Sequence, residues 1–174
     1  MHLDGTHKLN ASAQQIYDML MDHEVLARVT PGVKELQPLG EGKYKALSDV
    51  KLGPVNGSFK GQVEISDPVP AKSFTLNMKQ SSKIGNVSAK GSISLNQLSK
   101  NETEVIFSGD AKLSGTLART GQRVMSGVAK TLTQQFFEAL EAEIGEAQGM
   151  EVKRPGFFAR LMQLLKNLFG RSQS

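Results

Sequence analysis

Between Val33 and Leu113 apolar and polar residues alternate, and after Ala118 the apolar spacing stretches to four. Tyr44, Ala46, Val50 and Leu52 interleave with Lys43, Lys45, Asp49 and Lys51, and Phe59, Gly61, Val63 and Ile65 with Lys60, Gln62 and Glu64. Phe74, Leu76 and Met78 continue the series, then Val87 to Leu95 and Val105 to Leu113. A repeat of two is the side-chain period of a strand, so with Val33–Leu39 this region predicts six strands. Gly40-Glu41-Gly42, Gly53-Pro54, the Asp67-Pro68 and Pro70-Ala71 pairs and the loop from Leu98 to Glu102 supply the turns. One-sided strands joined by short turns make an antiparallel meander with one wet face and one apolar face.

The ends of the chain read differently. Leu3–Leu9 is a weak strand candidate because Gly5 interrupts it. Asn10 or Ser12 can cap a helix carrying Ile16, Tyr17, Met19 and Leu20, and Asp22 a shorter one, HEVLARV, that Pro31-Gly32 ends. From Ala118 to Gln148 there is no proline, and Val124, Val128, Leu132, Phe136, Leu140 and Ile144 recur at every fourth position, predicting one continuous helix with an apolar stripe. At ~1.5 Å per residue it is about 45 Å long, so it must lie across a broad surface. The expected fold is α+β: a strongly curved antiparallel sheet of about seven strands, in the order β-α-α-β6-α, wrapped around the long C-terminal helix. Gly61, Gly91 and Gly109 fall at inward positions, and Gly121, Ser126, Gly127 and Ala129 lie beside the stripe; such residues mark either a bend or room left under the helix.

Charge divides the chain into a domain, residues 1–148, and a tail, residues 149–174. The net charge is +4, but Lys153, Arg154, Arg160, Lys166 and Arg171 stand without an acid between Val152 and Ser174, which leaves the rest at −1. A near-neutral domain has no broad positive face for a phosphate backbone, so nucleic acid is not an expected partner. After Pro155 the tail places Phe157, Phe158, Leu161, Leu164, Leu165, Leu168 and Phe169 on one side of a short amphipathic helix and Arg160, Gln163, Lys166 and Asn167 on the other. It could dock on its own domain, enter a partner's groove, or lie in an anionic membrane interface. The last is favoured, because each cation near such a surface contributes about 1 kcal/mol. Arg154, Phe157, Phe158, Arg160, Leu161, Leu164, Leu165, Lys166, Leu168 and Phe169 would make that contact. No apolar run reaches the ~20 residues of a spanning helix, and MHLDGTHKLN lacks the basic and apolar regions of a leader. The expected location is cytoplasmic, peripheral to the inner face of the cell membrane.

Catalytic patterns are scarce. With no cysteine there is neither a disulfide framework nor a thiolate. His2, His7 and His23 lack metal-ligand spacing; Asp22-His23-Glu24 reads as a helix start. There is no G-x-S-x-G elbow and no phosphate-cradling glycine loop between a strand and a helix. Asp49 and Glu64 fall at outward positions, where carboxylates are solvated; an inward Asp49 would favour an enzyme.

The order of elements resembles the START-like or SRPBCC helix-grip superfamily. Within it, VTPGVKELQPLGEGKYKALSDVKLGPVNGSFKGQVEI followed by LARTGQRVMSGVAKTLTQQFFEALE is similar to the CoxG-like family of carbon monoxide dehydrogenase subunits, through PGV after the second helix, LGP with a following FKG, and the G-R…A…Q-F-F run. The resemblance spans about residues 1–148. It implies a domain that binds an apolar ligand, is encoded beside molybdenum hydroxylases of the carbon monoxide dehydrogenase type, is attached to the membrane by its C-terminus, and takes part in quinone handling or enzyme maturation. On pattern alone Tyr44, Phe59, Leu76, Met78, Val87, Phe107, Met125, Val128 and Leu132 are plain core; the resemblance turns them, with Val124, into the walls of a ligand cavity. No prosthetic group or metal is expected; the cargo would be an isoprenoid quinone or a fatty acid. The expected function is a non-enzymatic, membrane-tethered carrier of a hydrophobic molecule serving such a hydroxylase. The alternatives are a maturation or recruitment factor for that enzyme and a small-molecule cyclase or dehydratase. Val29–Val33 and Gly53–Gly57 are candidate gates because Pro and Gly punctuate them.

Overall fold

The structure, a computed structural model, describes residues 1–149. The chain forms β1 (His2–Leu9), α1 (Ala13–Met21), α2 (His23–Val29), β2 (Val33–Gly40), β3 (Lys43–Leu52), β4 (Val55–Val69), β5 (Ser73–Ser82), β6 (Gly85–Ser99), β7 (Glu102–Leu113), α3 (Gly115–Arg119) and α4 (Gln122–Ala147). The seven strands make one antiparallel sheet in the order β1-β7-β6-β5-β4-β3-β2. The meander lays β2 to β7 side by side, and β1 returns to close on β7. The α+β helix-grip architecture follows, with α4 against the apolar face.

Local chemistry explains the first helices. The Ser12 hydroxyl accepts the Gln15 N–H at 3.2 Å, and the Asp22 carboxylate accepts the Glu24 N–H at 2.9 Å. Each satisfies a donor that a helix start leaves free. Gly5, which weakens β1 on propensity, is required there: a Cβ would sit 2.7 Å from Cζ of Phe107, its cross-strand partner, whose ring covers the glycine.

Three expectations need correction. The helix is not continuous from Ala118. Leu117, 1% exposed, donates its N–H to the Ile84 carbonyl at 3.0 Å, holding α3 on the β5–β6 hairpin, and Gly121 turns the chain into α4 at φ 101°. That conformation favours glycine. The apolar stripe also does not run straight. A step of four residues overshoots a 3.6-residue turn by about 40°, so five steps carry Val124 far round from Ile144. Val124 is 46% exposed, while Met125, Val128, Phe137, Leu140 and Ile144 form the buried side. Finally, Asp67-Pro68 does not end β4, which continues to Val69 through a register shift after Ser66, with Asp67 at φ 51°. Bulges tolerate proline because a ladder donor is already missing there.

The inward glycines mark bends. A Cβ at Gly61 would lie 1.8 Å from the Lys79 carbonyl oxygen, and Gly91 and Gly109 face each other with Cβ contacts of 3.0–3.2 Å to the neighbouring strand. Their absent side chains let adjacent backbones close up as the sheet curls.

A candidate ligand seam between two packed cores

The residues under α4 fall into two buried clusters. One, at the α1 and α2 end, packs Leu9, Ile16, Leu20, Val29, Phe74, Phe137, Leu140 and Ile144. The other, at the α3 end, packs Val55, Phe59, Leu117, Met125 and Val128. Between them runs a cross-strand row in which Tyr44 pairs with Val63, Val63 with Met78, Met78 with Ala89 and Ala89 with Ala111. Val63, Met78, Ala89 and Ala111 are inward-facing, only half-buried, and belong to neither cluster. Beside them, Leu76, Ile93 and Phe107 pack against the first cluster and are also half-buried. The small side chains Ala89 and Ala111 fill little of the space they face. The result is an apolar seam across the inner face, less completely buried than the two clusters that flank it.

The expected wall residues distribute over this arrangement. Phe59, Met125 and Val128 are buried in the second cluster, with Val87 and Leu132 half-buried against it. Tyr44, Leu76 and Phe107 lean on the first cluster, and Met78 lies in the seam itself. Val124 faces away from it. A recess of about 130 Å³ opens beside the second cluster, between Pro31-Gly32, Val50 and Leu52 of β3, and Leu132 and Gln135 of α4. The Asp49 N–H donates to the Gly32 carbonyl at 2.8 Å, fastening this rim to β3. A broader recess of about 640 Å³ lies outside the first cluster, where Asp18, Asp22, Arg28 and Glu143 give it polar walls.

Charged groups stand at the margins. Arg28 Nε and Nη2 donate to the two carboxylate oxygens of Glu143 at 2.8 and 3.1 Å, clamping α2 to α4. These bonds raise the Arg28 pKa above its ordinary value. His7 meets Glu141 at 2.5 Å and stacks on Phe137 at 4.4 Å, joining β1 to α4, and His23 stacks on Tyr44 at 6.2 Å. Asp49 keeps its outward parity, and the Lys34 ammonium and Ser58 hydroxyl that donate to it hold its carboxyl below the usual range.

Sequence reasoning missed two polar residues on the inner face. The parity that turns Tyr44, Ala46 and Val50 inward also turns Ser48 inward, and that of Leu76 and Met78 does the same for Gln80. Ser48 is 4% exposed and Gln80 half-buried. Alternation was the signal available for both. The Arg28–Glu143 clamp had none, since its residues are 115 apart.

Among the described residues no group of three or more His, Cys, Asp or Glu is placed to hold a metal ion, and no helix is long and apolar enough to cross a membrane. The expected membrane-contacting residues, Arg154 to Phe169, lie outside the described residues.

A curved antiparallel sheet gripping a C-terminal helix over an apolar seam defines a START-like protein. The chain covers 84% of its length against a START superfamily protein from Mycobacterium smegmatis (98% of that chain, 16% identity, TM-score 0.67). Against the Zhui aromatase/cyclase from Streptomyces sp. R1128 it covers 82% (92% of that chain, 14% identity, TM-score 0.64). A conserved protein from Geobacillus kaustophilus is more similar, at 29% identity and TM-score 0.83 over 84% of this chain and 97% of that one. No curated protein sequence matches. The family model for CoxG, a carbon monoxide dehydrogenase subunit, matches residues 5–145, and the chain belongs to that family.

Proposed function

We propose that this protein is a carrier of a hydrophobic small molecule, working with a molybdenum hydroxylase of the carbon monoxide dehydrogenase type and tethered to an anionic membrane surface by residues 149–174. The observation that carries the reading is the half-buried row Val63, Met78, Ala89 and Ala111 between two fully packed clusters. Apolar surface left open beneath a covering helix is unfavourable in water, and an apolar ligand laid along it would remove that cost. The family membership supports the partner, and the basic, amphipathic tail, free of acids from Val152 onward, supports the tether. The cargo class that suits the seam and a membrane source is an isoprenoid quinone or a similar lipid. The protein would act by delivery, taking the ligand from the interface and passing it on without chemistry of its own.

Mass spectrometry of gently purified full-length protein tests the cargo: a co-purifying apolar molecule, lost in Met78→Glu, is the expected result, and a ligand-free protein that binds no lipid contradicts it. Sedimentation with anionic vesicles tests the tether. Removal of residues 149–174 should abolish it, and Phe158→Glu with Leu165→Glu should act like the deletion. The gate would be the rim at Pro31-Gly32 with the Gly53–Gly57 loop. Its opening breaks the Asp49–Gly32 hydrogen bond, so the Asp49 amide should exchange faster than the rest of β3.

A further inference from the structure

Most inward polar side chains of the sheet already have partners. Thr103 donates its hydroxyl to the Ala11 carbonyl at 2.8 Å, Gln97 accepts the Ala13 N–H at 3.1 Å, and Ser82 donates to the Gly85 carbonyl at 2.8 Å. Ser48 and Gln80 differ. Neither side chain has a hydrogen-bond partner among the described residues, although Ser48 is 4% exposed. A hydroxyl removed from water without a partner costs stability, so its retention calls for a reason. The two stand on either side of β4, on the same face of the sheet. Ser48 pairs with Phe59, and Gln80 with Gly61, two residues further along β4. Gly61 has no side chain to stand between them. Gln80 borders the open row at Met78, and Val50, the next inward residue after Ser48, walls the recess beside Leu132. Gln80 therefore adjoins the half-buried row, and Ser48 lies one row further on, opposite Phe59 of the second cluster.

Their surroundings limit what they can bind. The cross-strand partners of Ser48 are Val33 and Phe59, those of Gln80 are Gly61 and Val87, and none carries a charge. A carboxylate placed there would lose its hydration without gaining a cation, whereas a neutral carbonyl or hydroxyl oxygen needs only the donors that Ser and Gln provide. We propose that Ser48 and Gln80 form the polar end of the seam, donating hydrogen bonds to a neutral oxygen on an otherwise apolar ligand, and that the site selects ketones, quinones or alcohols over fatty acids. This rests on the carrier reading and adds the ligand's head group and its orientation, oxygen towards Ser48 and chain along Met78.

Displacement of N-phenyl-1-naphthylamine from the full-length protein by decane, 2-decanone and decanoate separates the two claims. Decane reports the seam alone, and the advantage of 2-decanone over decane reports the polar end. Ser48→Ala should weaken 2-decanone about fivefold, the effect of one lost hydrogen bond, and leave decane unchanged. Gln80→Leu should act in the same direction. Because Ser48→Ala deletes an unpaired hydroxyl, the ligand-free variant should melt no lower than the parent. An unchanged preference for 2-decanone in both variants, tightest binding by decanoate, or a clear drop in the Ser48→Ala melting temperature would each overturn the polar subsite while sparing the seam. Failure of the dye and decane to bind at all would remove the carrier reading and this inference with it.

Discussion

The two ends of the clasped interior and its middle are built from the same residue types but differ in how completely they close. At the α1 and α2 end, Leu9, Ile16, Val29 and Leu140 are 0–1% exposed, and three helices meet the sheet there. In the middle, residues of similar chemistry such as Val63 and Met78 stay half-buried and join neither cluster. Hydrophobicity alone therefore does not set how completely a residue is covered; the number of elements converging on it does. Packing is complete at the ends and incomplete in the middle, where the proposed ligand would lie.

The sharpest way to break this contrast is to make the same truncation in both places. Leu140→Ala should cost about 3–5 kcal/mol in denaturant unfolding, through lost burial and a cavity among rigid neighbours. Met78→Ala should cost about 1 kcal/mol or less and act on ligand affinity instead. Equal losses would mean that the seam is ordinary core. Next in size is the clamp. Arg28→Ala removes the bidentate pair with Glu143, 7% exposed, and because the guanidinium is half in water the expected loss is about 2 kcal/mol rather than the larger value of a buried pair. A double-mutant cycle with Glu143→Gln should give a coupling above about 1 kcal/mol if the closed end depends on this tie.

Gly121→Ala probes the other end. Nothing lies within 4 Å of a Cβ there, so the cost is purely that of the φ 101°, ψ 144° backbone, about 1–3 kcal/mol. The smallest effects are those of exposed charges. The Asp110 carboxylate, accepting a hydrogen bond from His2 at 2.9 Å, raises the His2 pKa above 6.5. The folded value exceeds the unfolded one, so this contribution is complete below pH 6.5 and disappears as pH rises through the folded pKa. Asp49 behaves oppositely: its lowered pKa adds stability above about pH 3.8 that is lost as pH falls below it. An NMR titration should place His2 above 6.5 in the parent and nearer 6.5 in Asp110→Asn. A large stability change in that variant would show that the sheet edge matters more than the ends.

Sequence by itself determined the strands, most of the turns and the first caps of this protein, because those follow from contacts within a few residues. Period two assigned Tyr44, Leu76, Met78 and Phe107 to one face, and Ser12 and Asp22 announced their helices through side chains that reach only two or three residues ahead. The same parity already held Ser48 and Gln80, but it could not say that they would lack partners. That, the turning of Val124 outward, the break at Gly121 and the pairing of Arg28 with Glu143 were decided only when the helix met the curled sheet. Which side chains close on one another there depends on the angle and depth of packing between segments far apart in the chain, and no local spacing encodes either.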